Sequence, residues 1–248
     1  MNTNEKQHFG EPIEIKNRKA KEIALIFLTF IVVPIVSVLI ICSGKQSALY
    51  NSLSRLAWPE GLLWLVYIWG IFNMGNFFFA MKMALDDGGY TKKWRKLFFA
   101  LFGVSAFLLT AGVSIPAYVD RGPVYEAMRT AHTAISTVGF FGFYFIEIFL
   151  ILTTVKRHRK QFLIGMAFVG FTLILGVFSL TSIFDPSSYC VVSAPAQMIL
   201  FMLYNIGVTY LYTSMSLFKN EHPVAVGADA CSQVTEDDED DNEAVEAN

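Results

Sequence analysis

The chain has 248 residues, of which 54% are hydrophobic, 15% aromatic and only 16% charged, with a mean hydropathy of +0.47; an ordinary soluble domain carries about 25% charged residues. This apolar excess is too large for one globular core, and it falls in runs of 19 residues or more, the length that a hydrocarbon layer about 30 Å thick requires. The net charge of −2 conceals an asymmetry, because all ten carboxylates after Lys219 lie in a tail without Lys or Arg. Three cysteines, Cys42, Cys190 and Cys231, exclude a disulfide-dense scaffold and a CxxC metal site.

Residues 1–22 are polar and mixed in charge and read as a flexible cytoplasmic leader. The apolar run that follows is about as long as a bilayer is thick and lacks an A-x-A cleavage site, so it predicts a retained anchor and not a removable signal. Six spans are expected: Ile23–Cys42 with a kink at Pro34, Gly61–Ala84, Leu97–Ile115 closed by Pro116, Thr130–Val155, Phe162–Phe184, and Ala196–Phe218. All must be helices, because a helix satisfies every backbone N–H and C=O within its own segment and no period-two alternation marks a barrel. The fold class is an all-α bundle of six transmembrane helices, 23–218, with Trp58, Trp64 and Trp94 at interfacial positions.

Basic residues set the orientation, since Lys and Arg are retained on the cytoplasmic side. With both termini inside, the inner segments hold fourteen of them and the outer loops four, Lys45, Arg55, Arg121 and Arg129. A multi-pass protein of the cell membrane is expected. The tail 219–248 contains the unbroken block Glu236-Asp237-Asp238-Glu239-Asp240-Asp241, whose self-repulsion predicts disorder and whose charge suits a basic partner. The basic clusters Lys92-Lys93-Trp94-Arg95-Lys96 and Lys156-Arg157-His158-Arg159-Lys160 serve topology and can hold anionic headgroups.

Burying an ionisable group in a bilayer is costly, so polar residues within the spans are the candidate site. Glu147 lies among Phe, Tyr and Ile, about eight residues or roughly 12 Å of helix from the inner end of the fourth span. Asn73 and Asn76 in the second span and Asn205 in the sixth lie at comparable depth, and an amide from one of these is expected to meet the carboxyl. At 100° per residue His132, Ser136, Gly139, Phe143 and Glu147 form one stripe of the fourth span. His132 and Glu147 are about 22 Å apart along the axis and cannot form one catalytic pair. Cys42 and Cys190 fall on the same expected outer side, where an oxidising compartment would permit a bridge.

From Tyr50 to Phe145 the chain resembles a six-span family of bacterial membrane proteins of unknown function related to the eukaryotic DRAM and FRAG-type proteins. The residues carrying the likeness are Tyr50-Asn51-Ser52-Leu53-Ser54-Arg55-Leu56, Phe72-Asn73-Met74-Gly75, Pro116 and His132. The resemblance implies a six-span fold, an association with lipid handling, and an outer-face Ser-acid-His arrangement falling on Ser54 and His132. Arg55 stands where that pattern has an acidic residue.

Neither a G-x-S-x-G elbow, an H-E-x-x-H pair nor a phosphate loop is present, so no metal, cofactor or nucleic-acid partner is expected. Three functions stay open. The leading one is a non-catalytic, lipid-interacting or accessory membrane protein; the others are a small transporter using Glu147 as coupling carboxylate, and a membrane-embedded lipid hydrolase using Ser54 and His132. They differ in a measurable way: a transporter needs Glu147 in a water-reachable cavity, whereas a hydrolase needs Ser54 within hydrogen-bond reach of His132.

Overall fold

The computed structural model describes residues 15–45, 53–58, 60–116, 123–154, 159–184 and 194–218, and all the regular structure among them is helical. Met1–Ser216 forms one compact unit; of the second, Leu217–Asn248, only the end of the last helix is described. The helices are α1 (Arg18–Cys42), α2 (Leu53–Ala57), α3 (Leu63–Asp87), α4 (Lys92–Ser114), α5 (Pro123–Thr154), α6 (Arg159–Phe184) and α7 (Ala194–Phe218). Five of them, α1 and α3 to α6, contain segments long and apolar enough to cross a membrane, while in α7 the described apolar stretch is the shorter Ala196–Tyr210.

Large apolar side chains point both inward and outward. Ile23, Ile71 and Phe107 are each about 70% exposed, the arrangement expected when the surroundings are lipid and not water. The first helix begins at Arg18, inside the segment expected to be a flexible leader. Arg18 has a reason to be ordered there: its guanidinium donates to Glu22 at 2.9 Å and to the buried Asp87 of α3 at 3.0 Å. On the neighbouring turn Arg95 donates to Asp86 at 3.0 Å and to the Tyr90 carbonyl at 2.8 Å. Gly89 makes that turn possible with a left-handed φ of 66°. These pairs tie α1, α3 and α4 together at the end carrying the basic residues.

Pro34 has no N–H to give the carbonyl four residues earlier. The helix absorbs this with a π-helical turn over Leu28–Val32, one of the known accommodations of a break in the ladder. The helix of the fourth span begins at Pro123, seven residues before the expected Thr130, with the apolar span itself at Glu126–Leu152, and proline suits the first helical turn because its missing N–H would have no partner there.

Glycine and serine determine how α4 and α5 meet. A Cβ on Gly112 would strike Ser136, one on Gly139 would strike Leu109 and the Ser105 carbonyl, and one on Gly142 would strike Ser105. Small residues thus let the two backbones touch, the close-packing mode of helices in lipid. Below this seam an aromatic core fills the bundle: Phe77, Phe102 and Phe143 meet edge to face or stacked, with centroids 5.0–6.2 Å apart.

Candidate functional site

The short helix α2 lies in what the sequence reads as an outer loop, and four of its five residues, Leu53, Ser54, Leu56 and Ala57, are buried. Two contacts hold it against the bundle. The Trp58 indole donates to the Val113 carbonyl at 2.9 Å, and the Leu62 N–H returns to the Leu56 carbonyl at 2.9 Å through Gly61, whose φ is 70°. Trp58 is therefore a structural pin, whereas Trp64 is 58% unsheltered by protein, as an interfacial anchor would be.

This docking brings Ser54 Oγ to 2.8 Å from His132 Nε2, with both side chains less than a tenth exposed. His132 Nδ1 is 2.6 Å from the Gly112 carbonyl. A carbonyl only accepts, so Nδ1 carries the hydrogen and Nε2 of the neutral ring is the acceptor for the Ser54 hydroxyl. The tautomer is thus fixed by backbone geometry in the form a general base for serine requires.

Ser54 and His132 line one end of an apolar cavity of about 540 Å³, within the usual range for small-molecule sites. Its walls come from α3, α4, α5 and α7, and it extends to Phe78 and Phe102. Further polar residues along its lining are Tyr67, Thr110, Ser136 and Gln197. Helical hydroxyls elsewhere bond back to the carbonyl four residues earlier: Ser105 to Leu101, Thr110 to Ala106, Ser114 to Thr110, Thr133 to Arg129. Buried Ser136 Oγ makes no such bond and has no partner among the described residues.

The remaining intramembrane polar residues form two separate groups. Asn76 Nδ2 donates to Asn205 Oδ1 and to Thr29 Oγ1, each at 2.8 Å, and Asn205 Nδ2 approaches Asn73 Oδ1 at 3.4 Å. Thr29 and Thr209 share a further bond of 2.8 Å. The amides therefore bind one another and bolt α1, α3 and α7 together. Glu147 is fully buried, as its depth suggests, but its hydrogen bond of 3.4 Å comes from the Thr172 hydroxyl of α6 and not from an amide. Its other oxygen, Oε1, has no partner among the described residues and packs against Gly207, where a Cβ would collide with it.

The polar stripe of α5 is thus divided in function. His132 and Ser136 line the cavity, Gly139 closes the seam with α4, and Phe143 and Glu147 are buried within the bundle. Cys42 is exposed as a free thiol, while Cys190, and with it the proposed bridge, lies outside the described residues. No metal-binding group of His, Cys, Asp or Glu occurs among the described residues. Sequence reasoning missed the Gly112 carbonyl, because a backbone acceptor has no side-chain signature, and Thr172, one hydroxyl among many.

Comparison with protein-family models, with curated proteins and with solved structures gave no match.

Proposed function

We propose that this chain is a multi-pass membrane hydrolase for acyl esters of lipids, with Ser54 as nucleophile and His132 as its base. One observation carries the reading: Ser54 Oγ donates to a tautomerically fixed His132 Nε2 at the end of an apolar cavity. A purely accessory, lipid-interacting protein could use the cavity but would not need the fixed tautomer beside it. The transporter alternative has less support, since Glu147 is sealed from every side and lines neither of the two cavities described.

The chemistry follows from the geometry. His132 Nε2 takes the Ser54 proton as Oγ attacks the ester carbonyl carbon, and the carbonyl oxygen becomes an oxyanion. Ser136 also lines the cavity, and its unpartnered hydroxyl, buried against Gly112, is the donor we assign to that charge on rotation of the side chain. Nε2–H then protonates the leaving alcohol, leaving Ser54 acylated. Water from the membrane surface gives its proton to His132 and attacks the acyl carbonyl, and Ser54 recovers its proton as the fatty acid leaves. The Gly112 carbonyl holds the ring in place of a carboxylate, without contributing a charge.

The reading includes six spans with both termini cytoplasmic, placing Ser54 and His132 at the outer face of the cell membrane. The basic asymmetry of the loops supports it, as does the 25-residue length of α7, about 37 Å of helix. The likeness to DRAM and FRAG-type proteins belongs to the same proposal and agrees with a lipid substrate. The acidic tail is assigned to a basic partner on the inner side.

Hydrolysis of a fluorogenic acyl ester by the purified full chain in detergent tests the reading. Turnover that disappears in Ser54→Ala and His132→Gln, both still folded, is expected. Equal turnover in all three proteins, or none in any, would overturn it.

A further inference from the structure

The cavity beside the dyad has a direction. It follows α3 from Val66 to Phe78 and α4 from Val113 to Phe102, about 16–18 Å of helix, and the hydrocarbon of one leaflet is about 15 Å thick. The polar groups cluster at one end, Ser54 with His132 and Ser136, while the far end is closed by the rings of Phe78 and Phe102, whose centroids are 5.1 Å apart. Between α3 and α4 its wall includes the outward-facing Ile71 and Thr110, and the Tyr67 hydroxyl bonds to Ser114 at 2.8 Å across the rim above them. The cavity is therefore a groove open sideways to lipid.

Two groups among the glycines of the bundle bear on the groove. At Gly112, Gly139 and Gly142 an added Cβ collides with a neighbouring helix, so packing demands glycine. At Gly70 and Gly75 an added Cβ meets nothing within 4 Å, yet both residues line the groove. A helix interior disfavours glycine relative to alanine, and no backbone approach calls for it at these two positions. What their missing side chains provide is the width of the groove.

We infer that the groove seats one acyl chain of a membrane lipid, admitted sideways between α3 and α4, and that Gly70 and Gly75 set how long a chain can extend from Ser54. This rests on the hydrolase reading for the ester end of the lipid; the seating of the chain does not. Gly103 provides the control, because a Cβ there also meets open space but the residue does not line the groove.

The test uses the full chain in nanodiscs containing a palmitoyl phosphatidylcholine with a diazirine at the chain terminus. Photolysis is expected to place adducts on Phe78 and Phe102, and Gly75→Phe should reduce them about tenfold or more, while Gly103→Phe leaves them unchanged. If Gly75→Phe does not fold, Gly75→Leu replaces it. Butyryl and palmitoyl ester hydrolysis is measured in parallel, with Gly75→Phe expected to lower the ratio of palmitoyl to butyryl turnover about tenfold or more and Gly103→Phe to leave that ratio unchanged. Adducts spread over outward-facing residues such as Val104 and Phe107 with none at the groove floor, or floor adducts unaffected by Gly75→Phe, would overturn the inference. Floor adducts without hydrolysis of either ester would sink the hydrolase reading and leave the lipid groove standing.

Discussion

His132 can accept the serine proton because the Gly112 carbonyl has claimed its other nitrogen. Replacement by Gln keeps a hydrogen-bonding side chain but no titratable nitrogen, so a structural role would survive it and a base would not. Ester hydrolysis should fall by about 10²–10⁴-fold in His132→Gln, with thermal stability close to the parent. Adding Ser54→Ala to that variant should cost little more, since the two act as a unit; fully multiplicative losses would contradict the dyad. Glu147 is the other residue whose surroundings are specific. Gly207→Ala pushes a methyl into Oε1 and should destabilise by about 1–3 kcal/mol. In a Glu147→Ala background the same change should cost less, with a coupling of at least about 0.5 kcal/mol by a double-mutant cycle, and additivity would refute the contact. The depth of Glu147 and the single stripe it shares with His132 are legible in the sequence, because burial and the 100° rotation are properties of one helix. Its partner is not legible, since which helix turns which face toward α5 depends on packing among all of them, and the amides expected to reach it satisfy one another instead.

At the level of elements, the long apolar runs make the helices readable and the glycine pattern decides how they pack. Gly139→Leu should separate α4 from α5, moving the Gly112 carbonyl away from His132; a loss of about 1–3 kcal/mol is expected, together with reduced ester hydrolysis. Asn76→Leu removes bonds to Thr29 and Asn205 at about 0.6–2 kcal/mol each, so melting in detergent should drop while activity at the melting-corrected temperature persists. A variant that lost activity without losing stability would instead connect the asparagine group to the site. The element the sequence does not disclose is α2, because five residues are too few for a helical period to register. Only the resemblance pointed to Ser54. The π-helical turn before Pro34 is legible in part: the proline announces a break, but the form of the repair depends on the surrounding helices.

For the whole molecule, the arrangement in lipid that we propose from the basic asymmetry and the outward-facing apolar surface puts the dyad outside and the Gly88 turn inside. Single thiols introduced into a cysteine-free chain, Lys45→Cys and Lys93→Cys, both at exposed positions, should react with an impermeant maleimide from the outside and only after permeabilisation, respectively. Labelling of both from one side would refute the six-span topology. That arrangement would give the laterally open groove its lipid and Ser54 its water, and the claim joining the two is that Ser54 is a nucleophile. Incubation of the full chain with an alkyl fluorophosphonate, followed by peptide mass spectrometry, measures this directly, because the reaction forms a stable Ser54 Oγ–phosphorus bond as fluoride leaves. The account predicts one adduct, on Ser54, that is abolished in His132→Gln. A folded protein carrying no adduct on Ser54, or one whose labelling is indifferent to His132→Gln, would contradict it.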